Sequence, residues 1–458
     1  MSTTSDRPHP SLAPPPPATP VSTRAVLRPL VLRLHFYAGV FVAPFLVVAG
    51  LTGLVYVFSP QLGDIVYRDQ LLVGPHSGPA RPLDDQIAAA LAAHPEGTLS
   101  SIQYPGDPDR TTGVVLAVPG LPEDISRTVY VDPYTAQVRG SLDTWYDTPP
   151  LQTTLDSLHR NLLLGEPGRI YSELAASWLW VLTLGGLALW VGKRRRNRRL
   201  AGTVLPPLGG RPGRRRMVGW HGAVGVWLTV ALLFISATGL TWSTYAGARF
   251  STVVDAVKGS TPELAAEAVP VREAPQITVQ GALDTAHGAG LTGLLVITPP
   301  AEPGAAFTVA ENAPTWPVQR DAVALDPYSG QVTETVLWRD WPVLAKLTRI
   351  GILAHMGGLF GLVSQLALAA MAVGLLCLVF WGYRMWWQRR PTRAGLRLAP
   401  PTRRGALRDL PQPTVFGIVL ATVAVGWLLP VLGVSLLVFL AGDAVAGTVA
   451  RRRAASGA

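Results

Sequence analysis

Cysteine is almost absent from the 458 residues: its one copy, Cys377, lies in the apolar run LLCLVF. That excludes an intrachain disulfide and any cysteine-ligated metal site. Charge is scarce too, at 15% of residues, against about a quarter in soluble globular chains. Combined with 48% hydrophobic residues, this argues against a purely soluble protein and against a disordered one. Neither basic segment of the chain contains a G-x-G-x-x-G unit, so neither offers a dinucleotide fingerprint. Histidine, with eight copies, is the plentiful soft ligand that remains.

What the chain has instead is a set of apolar runs of bilayer length, about 20 residues. They fall at 34–58, 172–191, 218–245 and 355–383, and a last stretch covers 414–447. The last is long for one span and short for two, and Pro430 would either kink one helix or turn a hairpin. Residues 1–33 are polar and Pro-rich (PHPSLAPPPPATP), which reads as a disordered cytoplasmic tail and not as a signal peptide. Segment 192–217 holds ten basic residues and no acid, and segment 384–413 holds eight Arg and one Asp. The positive-inside rule places both segments and the N-terminus in the cytoplasm. Residues 60–171 and 246–350 then lie outside. Because each basic run abuts a span, nucleic acid is not an expected partner; the lipid bilayer is.

The chain repeats itself. His35 is followed by Gly39 and by Thr52-Gly53-Leu54, and His221 is followed by Gly225 and by Thr238-Gly239-Leu240, all at an offset of 186. VDPYTAQV (Val131–Val138) matches LDPYSGQV (Leu325–Val332), and His159 with Gly165 matches His355 with Gly361. The expected plan is two copies of one unit: span, outer domain, span. Each outer domain reads as small α+β. The first has a helix at Leu83–Ala93 and strands near Ser100–Tyr104, Gly113–Val118 and Ser126–Val131. The second has a helix near Val279–Ala286 and strands near Gly293–Ile297, Ala306–Ala310, Ala322–Leu325 and Val332–Leu337. Asp132-Pro133-Tyr134-Thr135 is a turn signal. No nucleophile–base pair is apparent in either, so no catalytic residue is assigned there.

Four histidines lie in or beside the spans, where an ionisable side chain is costly and so marks function. His35 and His221 enter from the cytoplasmic side; His159 and His355 precede spans that enter from outside. The repeat thus supplies two histidines at each of two depths. Pairs of neutral imidazoles suit axial ligation of haem iron, and Gly39 and Gly225 would allow a flat ring to approach the backbone. Phe36, Tyr37, Trp178, Trp180 and Trp220 are candidate packing partners. Interhelical hydrogen bonding, a proton relay and a zinc site remain open at this point. His9, His76, His94 and His287 show no pattern and read as surface residues. Trp145, Tyr146, Trp338 and Trp341 could form an aromatic platform on the outer side or anchor the interface.

From about Arg33 to Asp443 the sequence resembles the PepSY-associated transmembrane family, often called iron-regulated membrane proteins. LHFYAGVFVAPFLVVAGLTGL, DPYTAQV, DPYSGQV, LHRNLLLGEPG, HMGGLFG and PVLGVSLLVFLAGD carry the resemblance. It implies an integral membrane α-helical bundle in the bacterial inner membrane. That bundle has a four-helix haem core, a C-terminal helix or hairpin and two extracytoplasmic PepSY-like domains. It implies two b-type haems per chain, with His35, His159, His221 and His355 as axial iron ligands. It also implies a transmembrane oxidoreductase that reduces a ferric siderophore or other ferric chelate, supplied with electrons by a quinol or a separate reductase. The second copy, WHGAVGVWLTVALLFISATGL, departs from the pattern by lacking the aromatic pair and the proline found at Pro44. The rival reading is a haem-free anchored protein whose outer domains bind peptides or restrain a protease.

Overall fold

The computed structural model describes residues 23–194, 204–207, 209, 213–265, 269–388 and 410–456. The Pro-rich part of the expected tail, half of segment 192–217 and most of segment 384–413 lie outside these. Among the described residues, four helices are long and apolar enough to cross a membrane, and a bent pair supplies a fifth candidate. An antiparallel β-sheet sits at one end of the helical bundle.

Helix α1 (Thr23–Phe41) begins inside the segment expected to be an unstructured tail, because the apolar residues Val26, Leu27 and Leu30–Leu32 extend the helical run backwards. It meets α2 (Ala43–Tyr56) at 57°. Pro44 accounts for the bend. It has no N–H for the carbonyl of Val40, four residues back, and the Tyr383 hydroxyl donates to that carbonyl instead, at 2.8 Å. The matched position in the second half is Val230, and there the helix Arg214–Leu240 runs unbroken. We expect Tyr383→Phe to lower the thermal midpoint in detergent by leaving Val40 unmet, at about 1–3 kcal/mol. In a Pro44→Ala background the restored N–H should absorb most of that loss; equal losses in the two backgrounds would exclude the exchange.

After α3 (Ser59–Val66) and α4 (Arg68–Leu71) the chain forms α5 (Leu83–Ala93) and strands β1 (Thr98–Tyr104), β2 (Thr112–Ala117), β3 (Ile125–Val131) and β4 (Val138–Trp145). Helix α6 (Pro150–Asn161) leads into the span α7 (Glu166–Arg194). The second half runs through α8 (Arg214–Leu240), α9 (Tyr245–Ala256) and α10 (Val279–Gly288). It continues with β5 (Leu295–Thr298), β6 (Phe307–Glu311), β7 (Ala322–Leu325) and β8 (Val332–Val336), then α11 (Val343–Met356) and the span α12 (Leu362–Trp387).

The two outer segments, read separately from the sequence, share one sheet of eight strands, ordered β4-β3-β2-β1-β5-β6-β7-β8. The join is antiparallel pairing of β1 with β5, with Ile102 opposite Ile297 and both fully buried. Each segment alone would leave this strand as an open apolar edge, and pairing removes both edges. Helices α5 and α10 share one core with the strands, from Leu83 and Ile87 to Ala282 and Leu283. They also cap each other. The Asp84 carboxylate accepts from the N–H groups of Val279 and Gln280, and the Gln280 side chain accepts from the N–H of Leu83 at 2.9 Å.

Two short helices deliver the chain back to the bundle, and each ends in the left-handed region. Leu162 caps α6 at φ 57°, and Gly357 caps α11 at φ 81°. A side chain at 357 would meet Val57 at 2.9 Å, so this close approach requires glycine. Past the family of spans, Pro430 divides the C-terminal stretch into α13 (Gln412–Leu428) and α14 (Pro430–Ser456). The two form a hairpin whose tip lies near α9, where the Arg249 guanidinium sits 5.2 Å over the Trp427 ring. Helix α14 then runs back along α7, the Trp178 indole donating to Ser435 at 2.8 Å, and midway along its length Asp443 forms an ion pair with the buried Arg33 of α1.

Candidate functional site

The four span-associated histidines occupy four distinct seats, and each seat fixes one ring nitrogen. His35 on α1 faces α7, where its Nδ1 lies 2.9 Å from the carbonyl of Leu182. His221 on α8 faces α12, where its Nδ1 lies 3.1 Å from the carbonyl of Leu378. A carbonyl can only accept, so in both rings Nδ1 carries a proton, and in the neutral imidazole Nε2 keeps its lone pair. A glycine faces the ring on each opposing helix, tightly at His35 and at ordinary contact distance at His221. A Cβ at Gly186 would stand 3.1 Å from the His35 ring, and one at Gly382 would stand 3.9 Å from the His221 ring.

At the sheet end of the bundle, His159 and His355 occupy the last turns of α6 and α11. The His159 Nδ1 lies 3.0 Å from the Thr52 hydroxyl, and the His355 Nδ1 lies 2.7 Å from the Thr238 hydroxyl. Each hydroxyl proton is already committed. Thr52 donates to the carbonyl of Val48 at 2.8 Å, and Thr238 to that of Phe234 at 2.9 Å. Each oxygen is therefore placed to accept from Nδ1–H, which in the neutral ring again leaves Nε2 with a lone pair. The glycine of each Thr-Gly-Leu motif lies under the ring: a Cβ would stand 3.0 Å from His159 at Gly53 and 3.2 Å from His355 at Gly239. Tyr56 stacks on His159 and Trp242, its counterpart at the same offset of 186, packs against His355.

The structure brings His35 and His221 together, with ring centroids 6.3 Å apart and planes at 82°. Two imidazoles sharing one metal through Nε2, at about 2 Å each, have centroids roughly 6 Å apart. Both rings line a cavity of about 440 Å³, a size suited to a cofactor. Gly39 and Gly225 line it, as does Phe36. Arg28, Lys193 and Arg214 line its end away from the sheet.

The remaining aromatic candidates go elsewhere. Tyr37 packs on Phe439, Trp178 is spent on the hairpin, and Trp220 packs on Trp381. Trp180 leaves its indole N–H buried without a partner and is not among the cavity residues. Trp190, Tyr383 and Trp386 line the cavity instead. On the sheet side Trp145 contacts Tyr146 and Trp338 contacts Trp341, each pair at 4.9 Å, just ahead of α6 and α11. These are two separate aromatic pairs. Arg160 lies over Trp145 and Lys346 over Trp338. Beside His159, burial pushes the Asp156 carboxyl above the usual range, while Arg160, 3.4 Å away, and His159 draw it back.

Of the other histidines, His76 stacks on Tyr134, His94 pairs with Glu96 and His287 touches Tyr104; His9 lies outside the described residues. Among the described residues no group of three or more His, Cys, Asp or Glu could hold a metal ion, which removes the geometry a zinc site prefers. The residues sequence reasoning missed are Leu182, Leu378, Gly186 and Gly382. A backbone carbonyl carries no residue signature, but alignment at the offset of His159 to His355, 196, places LTLGG over LVFWG and superposes both pairs.

No curated protein matches the chain. A family profile does, over residues 32–389, a span that takes in all four histidine seats and stops before the C-terminal hairpin. The chain is therefore a membrane protein that belongs to the family of the PepSY-associated TM region.

Proposed function

We propose that this chain is a transmembrane electron-transfer protein that holds two b-type haems, one between His35 and His221 and one between His159 and His355. The observation that carries the reading is the common state of the four histidines. Each places Nδ1 within hydrogen-bond reach of a protein acceptor, which in the neutral ring leaves Nε2 free, the arrangement in which protein-held imidazoles ligate metals. The spacing of His35 and His221 and the cavity around them support it. The basic rim of Arg28, Lys193 and Arg214 suits the two carboxylates of a haem. When bound, such a group supplies one-electron transfer with no proton or atom transfer.

In this reading the N-terminus and the rim of this cavity face the cytoplasm across a bacterial inner membrane, the orientation that the positive-inside rule favours for the basic segments. Electrons would enter there, from a quinol or a separate reductase, and leave at the sheet side. The acceptor is a ferric siderophore or another ferric chelate. Adding one electron to Fe(III) weakens its hold on hard oxygen ligands, so iron is released. The protein would then act as a ferric-chelate oxidoreductase, its own part being to hold the imidazoles, exclude water and neutralise the carboxylates.

A pyridine haemochrome assay on the detergent-purified chain, expressed with ample haem, tests this. We expect close to two b-type haems per chain and a Soret band that shifts on dithionite reduction. A colourless protein would discard the reading in favour of an anchored peptide-binding or protease-restraining one.

A further inference from the structure

The geometry points to Thr238 and Thr52 as positioning residues of the outer histidine pair. Their hydroxyls hold His355 and His159 in the Nδ1–H tautomer and set that pair's ligand strength separately from the inner pair. This rests on the di-haem reading.

The inner rings donate to peptide carbonyls that belong to span helices. No side-chain substitution removes those acceptors. The outer rings donate to hydroxyls, which a single isosteric change deletes. Each hydroxyl is also a relay, because its own proton goes to a carbonyl one turn back. That bond polarises the oxygen and strengthens it as an acceptor. An imidazole whose Nδ1–H meets a good acceptor is more electron-rich at Nε2, and a richer ligand favours ferric over ferrous iron. Removing the acceptor therefore raises the reduction potential of that couple.

The two seats are not equivalent. The Thr52 hydroxyl stands 3.0 Å from the His159 Nδ1. Thr238 is the hydroxyl met by His355, at 2.7 Å. The effect should be larger at Thr238 than at Thr52.

The test is a spectroelectrochemical titration of the full-length chain in detergent, comparing Thr238→Val, Thr52→Val and the hydroxyl-retaining Thr238→Ser. We expect Thr238→Val to keep the inner redox step in place and to move the outer step to higher potential, with a smaller move for Thr52→Val. Thr238→Ser should restore the wild-type step. Should Val weaken the seat enough to release one haem, affinity would fall about 10–100-fold, and Ser should retain it. Two haems with both steps unmoved in Thr238→Val would overturn the inference, and so would equal haem loss in the Val and Ser variants. A wild-type chain without haem would instead overturn the functional reading on which it stands.

Discussion

If the chain holds the two proposed haems, purified His355→Ala should carry one haem per chain, half the wild-type Soret absorbance, with the other haem spectrally intact. The reason is the separateness of the two histidine pairs. His35 and His221 take their acceptors from α7 and α12 at the end of the bundle away from the sheet, whereas His159 and His355 rest on the Thr-Gly-Leu motifs. Along α8, seventeen residues separate His221 from Thr238, a rise of about 25 Å. Deleting the His355 ring removes one Nε2 and leaves the far seats untouched. His35→Ala should produce the complementary loss, and the double variant should be colourless. An unchanged haem count in His355→Ala would remove it from the ligand set.

The second large effect concerns stability. Asp443→Ala should lower the unfolding free energy in detergent by about 3–5 kcal/mol, the usual cost of leaving a buried partner charge alone. Arg33 is buried two residues before His35, and its ion-pair partner Asp443 comes from the hairpin helix, 410 positions away in sequence. Without the carboxylate the guanidinium stays fixed by its helix in a poorly hydrated place. Replacing both, as Arg33→Leu with Asp443→Leu, should recover most of the loss, since an apolar pair of similar bulk carries no desolvation cost. A differential scanning measurement would show it; a full loss retained in the double variant would mean that Asp443 acts through other contacts. The pair ties a segment outside the matched family region to the helix that carries His35.

Much of this architecture was legible in the residues, and the illegible parts share a cause. Helix α5 has the expected bounds, Leu83–Ala93, because its alanines and leucines leave little choice. Strand β7 likewise matches at Ala322–Leu325. Strand β4, VRGSLDTW, escaped because it is half-buried along most of its length and its residues show no apolar alternation. The pairing of β1 with β5 escaped because a strand's partner is not written in its own residues. The histidines stood out by type and context, and their depths followed from the spans. Their acceptors split by chemistry. Thr52 and Thr238 sit in a motif that was visible, with a role that was not. Leu182 and Leu378 act through backbone oxygen, which every residue has. Pro44 was noted as a difference between the halves, but its effect needed the Tyr383 hydroxyl, which comes from the far end of the chain, to be understood.

The eight-stranded sheet acts as the hinge bar of a pair of callipers. Its outermost strands, β4 and β8, lead into α6 and α11, the arms that end at His159 and His355. Seven strand spacings set the arms' origins about 34 Å apart across the sheet. Arms of 12 and 14 residues span about 18 and 21 Å, enough to close that gap from both sides. The tips themselves rest on the spans, α6 on α2 and α11 on α8, through the Thr52 and Thr238 hydroxyls. Splaying the β1–β5 seam at Ile102 and Ile297 would thus strain both arms at their origins, while the inner histidines, seated on α7 and α12, lie away from the load.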